Sequence, residues 1–287
     1  WSRWVSALRY YDFYTTDQIN FAGLNNQQAG GLEEQTARVS FVGRFNYDFK
    51  DKYLVEFSFR EDGSYRYHPD ARWGFFPVGS LGWRISDESF MSGTSSWLSD
   101  LKIRCSYGIV GEDAGNPLQF VSGYTTTGGG GYEFIDGTYT VGAGSPSIVN
   151  EQLTWFTSEI LDLGFNLGLW DGRFNMEFDV YQRNREGLLA YRNQSLPNTF
   201  GGNLPQENLN SDQVRGLDFM VGYKNEVNGF RYGISGNFNY ARTKNIYVER
   251  GEFLNSMDRW RNGNLDRNND AVWGFQYQGQ FANQEEI

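Results

Sequence analysis

ARVSFVGRFNYDFKDKYLVEFSFR, residues 37–60, alternates apolar and polar side chains almost without a break. Val39, Phe41, Gly43, Phe45, Tyr47 and Phe49 share one parity, and Arg38, Ser40, Arg44, Asn46 and Asp48 share the other. Val42 is the one apolar exception. After Lys50, Asp51 and Lys52 the pattern resumes: Tyr53, Val55, Phe57 and Phe59 alternate with Leu54, Glu56, Ser58 and Arg60. Successive side chains of a strand point to opposite faces, so a period of two predicts a strand with one apolar and one polar face. Two such runs joined by three residues predict an antiparallel hairpin.

The same reading extends in both directions. Leu81, Trp83 and Ile85 oppose Ser80, Gly82 and Arg84, and Leu101, Ile103, Cys105 and Tyr107 oppose Lys102, Arg104 and Ser106. Leu161 to Leu169 alternates in the same way, turns at Asp171-Gly172, and continues as Phe174, Met176, Phe178 and Val180 against Asn175, Glu177 and Asp179. Leu217, Phe219, Val221 and Tyr223, then Phe230, Tyr232, Ile234, Phe238 and Tyr240, complete the series, with residues 3–14 as a weaker first strand. A 3.6-residue apolar stripe is confined to Asp87–Leu98, which predicts a short helical turn between strands. The fold class expected is all-β, with about ten antiparallel strands.

Connection lengths carry a second pattern. Short links are expected at 50–52, 171–172 and 224–229, with a middling one at 87–100. Long ones are expected at 15–35, 61–74, 109–156, 182–213 and from 243 onward. Short turns at one end and long loops at the other are the signature of outer-membrane barrels, whose short turns face the periplasm. On that rule the odd strands of the series run outward and the even ones inward. The polar parity then lines a lumen: Arg38, Arg44, Glu56, Arg60, Arg104, Glu177 and Asp179 are the candidates. Two other readings share parts of this pattern, a secreted carbohydrate-binding β-sandwich and a passive porin or adhesin barrel.

Composition fits a wall between lipid and water. Aromatic residues make up 17% of the 287 residues, with 35 glycines and 6 prolines, yet the mean hydropathy is −0.59. Apolar runs long enough for a membrane-spanning helix are absent, which leaves strands as the means of crossing lipid. The opening WSRWVSALRYYDF has no apolar core of a signal peptide, so an exported protein is expected to begin upstream of it. A net charge of −10 argues against nucleic acid as a partner.

Chemistry-bearing constellations are few. One cysteine, Cys105, and one histidine, His68, rule out an internal disulfide and a Cys/His zinc site within this sequence. NLDRNND (264–270) spaces Asp266, Asn268 and Asp270 at alternate positions but lacks the glycine and distal glutamate of a calcium loop. The glycines at 128–131 lack the strand, helix and lysine of a phosphate cradle. No catalytic triad, metal site or cofactor is expected. The long links instead hold aromatics among Asn, Asp, Gln and Arg, a mixture suited to stacking on sugars or holding extended peptides. Tyr65, Tyr67, Trp73, Tyr124, Trp155 and Trp260 are the candidates for contact with cargo or a partner, in the company of Tyr132, Phe134, Tyr191 and Phe200.

Several blocks resemble the SusC/RagA branch of the TonB-dependent outer-membrane transporters of Bacteroidota. They are DKYLVEFSFREDGSYRYHPDARWGFFPVGSLGWRISDESFM (51–91), LSDLKIRCSYGIVG (98–111), NEQLTWFTSEILDLGFNLGLWDGRFNMEFDVYQR (150–183), NSDQVRGLDFMVGYK (210–224) and VWGFQYQGQFANQEEI (272–287). The resemblance spans nearly the whole sequence. It implies a 22-stranded barrel with an N-terminal plug, energised through the TonB–ExbB–ExbD complex. It also implies a SusD-like lipoprotein over the mouth, outer-membrane lipid around the wall, and oligosaccharide or peptide cargo. Residues 1–287 are then expected to be part of one barrel domain, with the plug and the barrel ends lying elsewhere in a longer polypeptide.

Overall fold

The computed structural model describes residues 2–8, 28–124, 131–144, 146–192, 204–272, 274, 276, 277 and 279. Contacts divide it into two units, Trp1–Val39 and Ser40–Ile287. In the first, β1 (Ser2–Leu8) and β2 (Gln28–Glu34) form an antiparallel hairpin with Val5 opposite Gly31. Residues 3–8 of the predicted first strand fall in β1, and residues 9–14 lie outside the described residues. β2 was missed because QAGGLEE has no apolar alternation to reveal it.

The second unit is built on one antiparallel sheet. Its strands are β3 (Arg38–Phe49), β4 (Tyr53–Ser64), β5 (Trp73–Arg84) and β6 (Leu98–Glu112). A small hairpin, β7 (Gly131–Ile135) and β8 (Thr138–Val141), interrupts the series. It continues with β9 (Phe156–Leu169), β10 (Phe174–Tyr191), β11 (Gln206–Val227) and β12 (Phe230–Tyr247). A short helix, α1 (Ser256–Asn262), precedes the two-residue β13 (Arg267–Asn268). The nine strands run β13-β12-β11-β10-β9-β6-β5-β4-β3, each beside its neighbour in sequence apart from the β7–β8 excursion.

Register places the apolar parities of all these strands on one face. Trp83 pairs with Ile103, Ile103 with Phe165, Phe165 with Phe178, Phe178 with Phe219 and Phe219 with Phe238. The next row runs Leu81, Cys105, Leu163, Val180, Leu217, Tyr240. This face is open: Leu81 is 59% exposed, Leu163 46% and Phe238 57%. A soluble sandwich would bury it under a second sheet. Among the described residues the other sheets are two-stranded hairpins, too small to form that layer. Lipid is the medium that suits such a face. Along β12 the apolar rows run from Phe230 to Tyr240, a rise of about 25 Å at ~3.3 Å per residue and ~40° tilt, which matches the apolar band of outer-membrane barrels.

The short links gather at one end. Asn228 and Gly229, both at positive φ, form a two-residue hairpin turn between β11 and β12, as the type I′ geometry requires. Trp170 to Gly172 turns β9 into β10 with three positive φ values, and Lys50-Asp51 turns β3 into β4 with Asp48 Oδ1 accepting from the Asp51 N–H at 2.8 Å. The expected helical link is two 3-10 turns, Ile85–Asp87 and Ser89–Thr94. Aromatics cluster here, with Phe49 against Tyr53, Trp170 against Phe174 and Tyr223 against Tyr232 at ring separations of 6.4, 6.3 and 6.2 Å. That is the girdle expected where lipid meets water.

At the other end the strands outrun the expectation. β4 continues to Ser64, β6 to Glu112, β10 to Tyr191 and β12 to Tyr247, while β11 begins at Gln206. The link expected at 182–213 is therefore mostly strand. The extension of β10 begins with Gln182-Arg183-Asn184-Arg185-Glu186, polar on both faces, so alternation fades although the backbone ladder persists.

Candidate functional site

Each proposed lumen residue lies on the face opposite the apolar one. Arg38 and Arg44 share a parity on β3, Glu56 and Arg60 on β4, and Glu177 and Asp179 on β10, with Arg104 on β6. Arg44 donates to Glu56 at 2.5 Å, and the Arg60 guanidinium holds Asp62 through two bonds of 3.2 and 3.1 Å. Arg104 reaches Asp179 at 2.7 Å across the intervening β9. It can do so because Gly164 lies between them in register, and a Cβ there would collide with the Asp179 carboxylate. Glu177 accepts from Asn166 Nδ2 at 3.0 Å. A cleft of about 510 Å³ opens on this face between Glu56, Ser80, Lys102, Arg104, Ser106 and Asp162. The result is a wettable, mixed-charge wall.

At the long-link end the connections are tied to one another. Tyr67, Phe76, Leu153 and Trp155 form a buried cluster, with Tyr67 1% and Trp155 8% exposed. The Trp155 ring meets Phe76 at 5.4 Å and Tyr67 at 5.8 Å. Trp155 Nε1 donates to the Arg72 carbonyl at 2.9 Å, and Thr154 Oγ1 to that of Ala71 at 2.8 Å. Ser64 donates to Asp113 at 2.8 Å, which joins the end of β4 to the chain leaving β6. Asn208 accepts from the Thr154 N–H at 3.0 Å and donates to the carbonyls of Thr154 and Gly187 at 2.9 and 2.8 Å. Arg185 on β10 grips Asp212 on β11 with both carboxylate oxygens engaged.

The six aromatic candidates therefore fall into different settings. Tyr67 and Trp155 face each other inside the cluster. Tyr65 is half-buried with the Arg66 guanidinium 5.8 Å from its ring. Trp73 opens β5 and stacks on Phe41 at 6.2 Å, on the parity that carries the apolar face. Tyr124 is 70% exposed. Trp260, 55% exposed, is presented by α1, whose start is capped by Asn255 accepting from the Asp258 N–H at 2.8 Å. Hydrogen bonds from Asn262 and the Leu254 N–H hold the Asp258 carboxyl below its usual range. Tyr132 and Phe134 stand exposed on β7, 5.1 Å apart, Tyr191 ends β10, and Phe200 lies outside the described residues. Sequence reasoning missed Asn208, Arg185 and Asp212, because an Asn among polar neighbours gives no sign of which carbonyls it will bridge. In the acidic run at 264–270, Asp266 pairs with Lys244 at 2.7 Å and Asp270 with Arg242 at 2.9 Å.

A family profile described as "TonB dependent receptor-like, beta-barrel" matches residues 1–285. The chain belongs to that family. Its members are barrels of the outer membrane. Among curated relatives, the TonB-dependent receptor P3 of Formosa agariphila is 26% identical over 279 residues, covering 93% of this chain and 27% of the relative. The TonB-dependent receptor SusC of Bacteroides thetaiotaomicron is 31% identical over 240 residues, covering 77% of this chain and 24% of SusC. Of solved structures, the RagAB peptide importer in its open-open state superposes with a TM-score of 0.65 at 22% identity, over 84% of this chain and 25% of that one. The closed-closed state gives 0.64. This chain thus spans about a quarter of the length of the relatives it matches. A barrel wall of this family turns an apolar face to lipid and a polar face inward as a general rule.

Proposed function

We propose that this segment is part of the wall of a SusC/RagA-type transporter that imports oligosaccharides across the outer membrane. The observation that carries the reading is the pairing of a wettable inner wall with a braced rim bearing exposed aromatics, Tyr124, Tyr132, Phe134 and Trp260. Aromatic faces stack on sugar rings while the neighbouring amides and carboxylates satisfy hydroxyls. Tyr67 and Trp155 take a supporting part, holding the links on which the exposed rings are mounted. In the same proposal the cargo is captured beneath a SusD-like lipoprotein, and uptake is driven through a plug by TonB–ExbB–ExbD. Peptide cargo is the alternative, since the same rings and amides also suit an extended backbone. Deleting the gene should abolish growth on one glycan or peptide source, and removing TonB should do the same. Unchanged uptake of every nutrient in the deletion strain would overturn import, and uptake that survives loss of TonB would make the barrel a passive pore. Trp260→Ala in the complete transporter should weaken cargo binding by about 1 kcal/mol, measured by calorimetry on the purified protein.

A further inference from the structure

On the lipid-facing side the apolar band ends abruptly at the row Leu217–Tyr240. The next row toward the long links is Arg215 opposite Arg242, and the one after it Gln213 opposite Lys244. Because the parity is unchanged, these side chains point outward, above the band and away from the lumen. Gln182 pairs with Arg215 in register and accepts from its Nε at 3.0 Å, and Gln213 donates to Asn184 at 2.8 Å. Beside them a cleft of about 610 Å³ opens between Arg215, Arg242, Lys244 and the Asp266–Asn268 segment. Asp270 and Asp266 neutralise Arg242 and Lys244 only at the surface, with side chains 41 to 78% exposed in the four partners. Exposed pairs of this kind are readily exchanged for a better anion. No cargo passing through the lumen can reach this surface. What borders it is the headgroup layer of the leaflet whose acyl chains cover Phe238 and Tyr240.

We propose that Arg215, Arg242 and Lys244 form a binding site for the phosphate of a phosphorylated glycolipid in the outer leaflet, with Gln182, Asn184 and Gln213 facing its sugars. The chemistry matches on three counts. The guanidinium fork suits phosphate oxygens, the amides suit hydroxyls, and the apolar rows below suit the acyl chains. The test uses the complete receptor in detergent, incubated with diphosphoryl lipid A, with its dephosphorylated form, or with inorganic phosphate, and read by native mass spectrometry. Diphosphoryl lipid A should be retained at least about tenfold better than the dephosphorylated form, and R215Q/R242Q/K244Q should abolish that preference. Equal retention of the two lipids, or an unaffected triple variant that still shows heat-modifiable migration, overturns the proposal. Displacement by millimolar inorganic phosphate alone also overturns it, since the site would then hold a free anion. D266N/D270N provides a second reading should the triple variant fail to fold. Freed of its competing carboxylates, the site should retain the phosphorylated lipid about two- to threefold better, and an unchanged or lower retention counts against it.

Discussion

Gly164 shows how a single side chain, or its absence, sets the character of the inner wall. Arg104 and Asp179 stand on strands separated by β9, and they meet at 2.7 Å only over a residue with no Cβ. Their side chains are 35% and 18% exposed, so the pair is partly screened and its net contribution is nearer 1 kcal/mol than that of a buried pair. Gly164→Val should lower stability by about 2 kcal/mol, because the new side chain both overpacks the wall and parts the ion pair. Urea unfolding of the refolded receptor, followed by tryptophan fluorescence, measures it. A cycle of Arg104→Met and Asp179→Asn should return a coupling of about 1 kcal/mol, and additivity within error would deny the pair any role. Gly229 is a different case. It sits at φ 82 in the tightest turn, so Gly229→Ala should cost about 1 kcal/mol through backbone strain alone, with no effect on the inner wall.

Strands were legible where their two faces meet different media, and illegible where they do not. Phe174 to Val180 alternates because one face is apolar and the other polar, whereas Gln182 to Glu186 continues the same ladder with polar residues on both faces. The candidate site follows the same rule. Arg44, Glu56 and Asp179 could be placed by parity, but Tyr67 and Trp155 could not be told from Tyr124 and Trp260, since an aromatic in a polar link looks alike whether it props or projects. Cys105 tests the face assignment directly. With it as the sole thiol, a spin label there should be more accessible to oxygen than to a polar nickel chelate, and the reverse would put that parity in water. The β5–β6 link gives a pH test. Hydrogen bonds from Tyr53 and Trp83, with Lys52 beside them, hold the Glu88 carboxyl below its usual range. A carboxyl lowered on folding stabilises fully above its unfolded pKa and ceases to do so as pH falls through the folded one. Amide protection at Glu88 and Met91 should therefore weaken as pH falls below the ordinary carboxylate range, and Glu88→Gln should remove that dependence.

At the scale of the whole sheet, six strands keep one register of apolar rows from Trp83 to Phe238 without a slip within those rows. A one-residue slip anywhere would turn every later charge toward lipid, so the rows themselves enforce the order of the wall. β11 has a further consequence. From Leu217 back to Gln206 it climbs on the order of 28 Å beyond the last apolar row, at about 3.3 Å per residue and a tilt of about 40°. That is about as tall as the apolar band. With its short turns toward the periplasm, the wall thus lifts its long-link end well clear of the lipid headgroups on the outer side. An epitope inserted after Gly263 should accordingly be bound by antibody on intact cells, and its concealment there would deny that end its outward position.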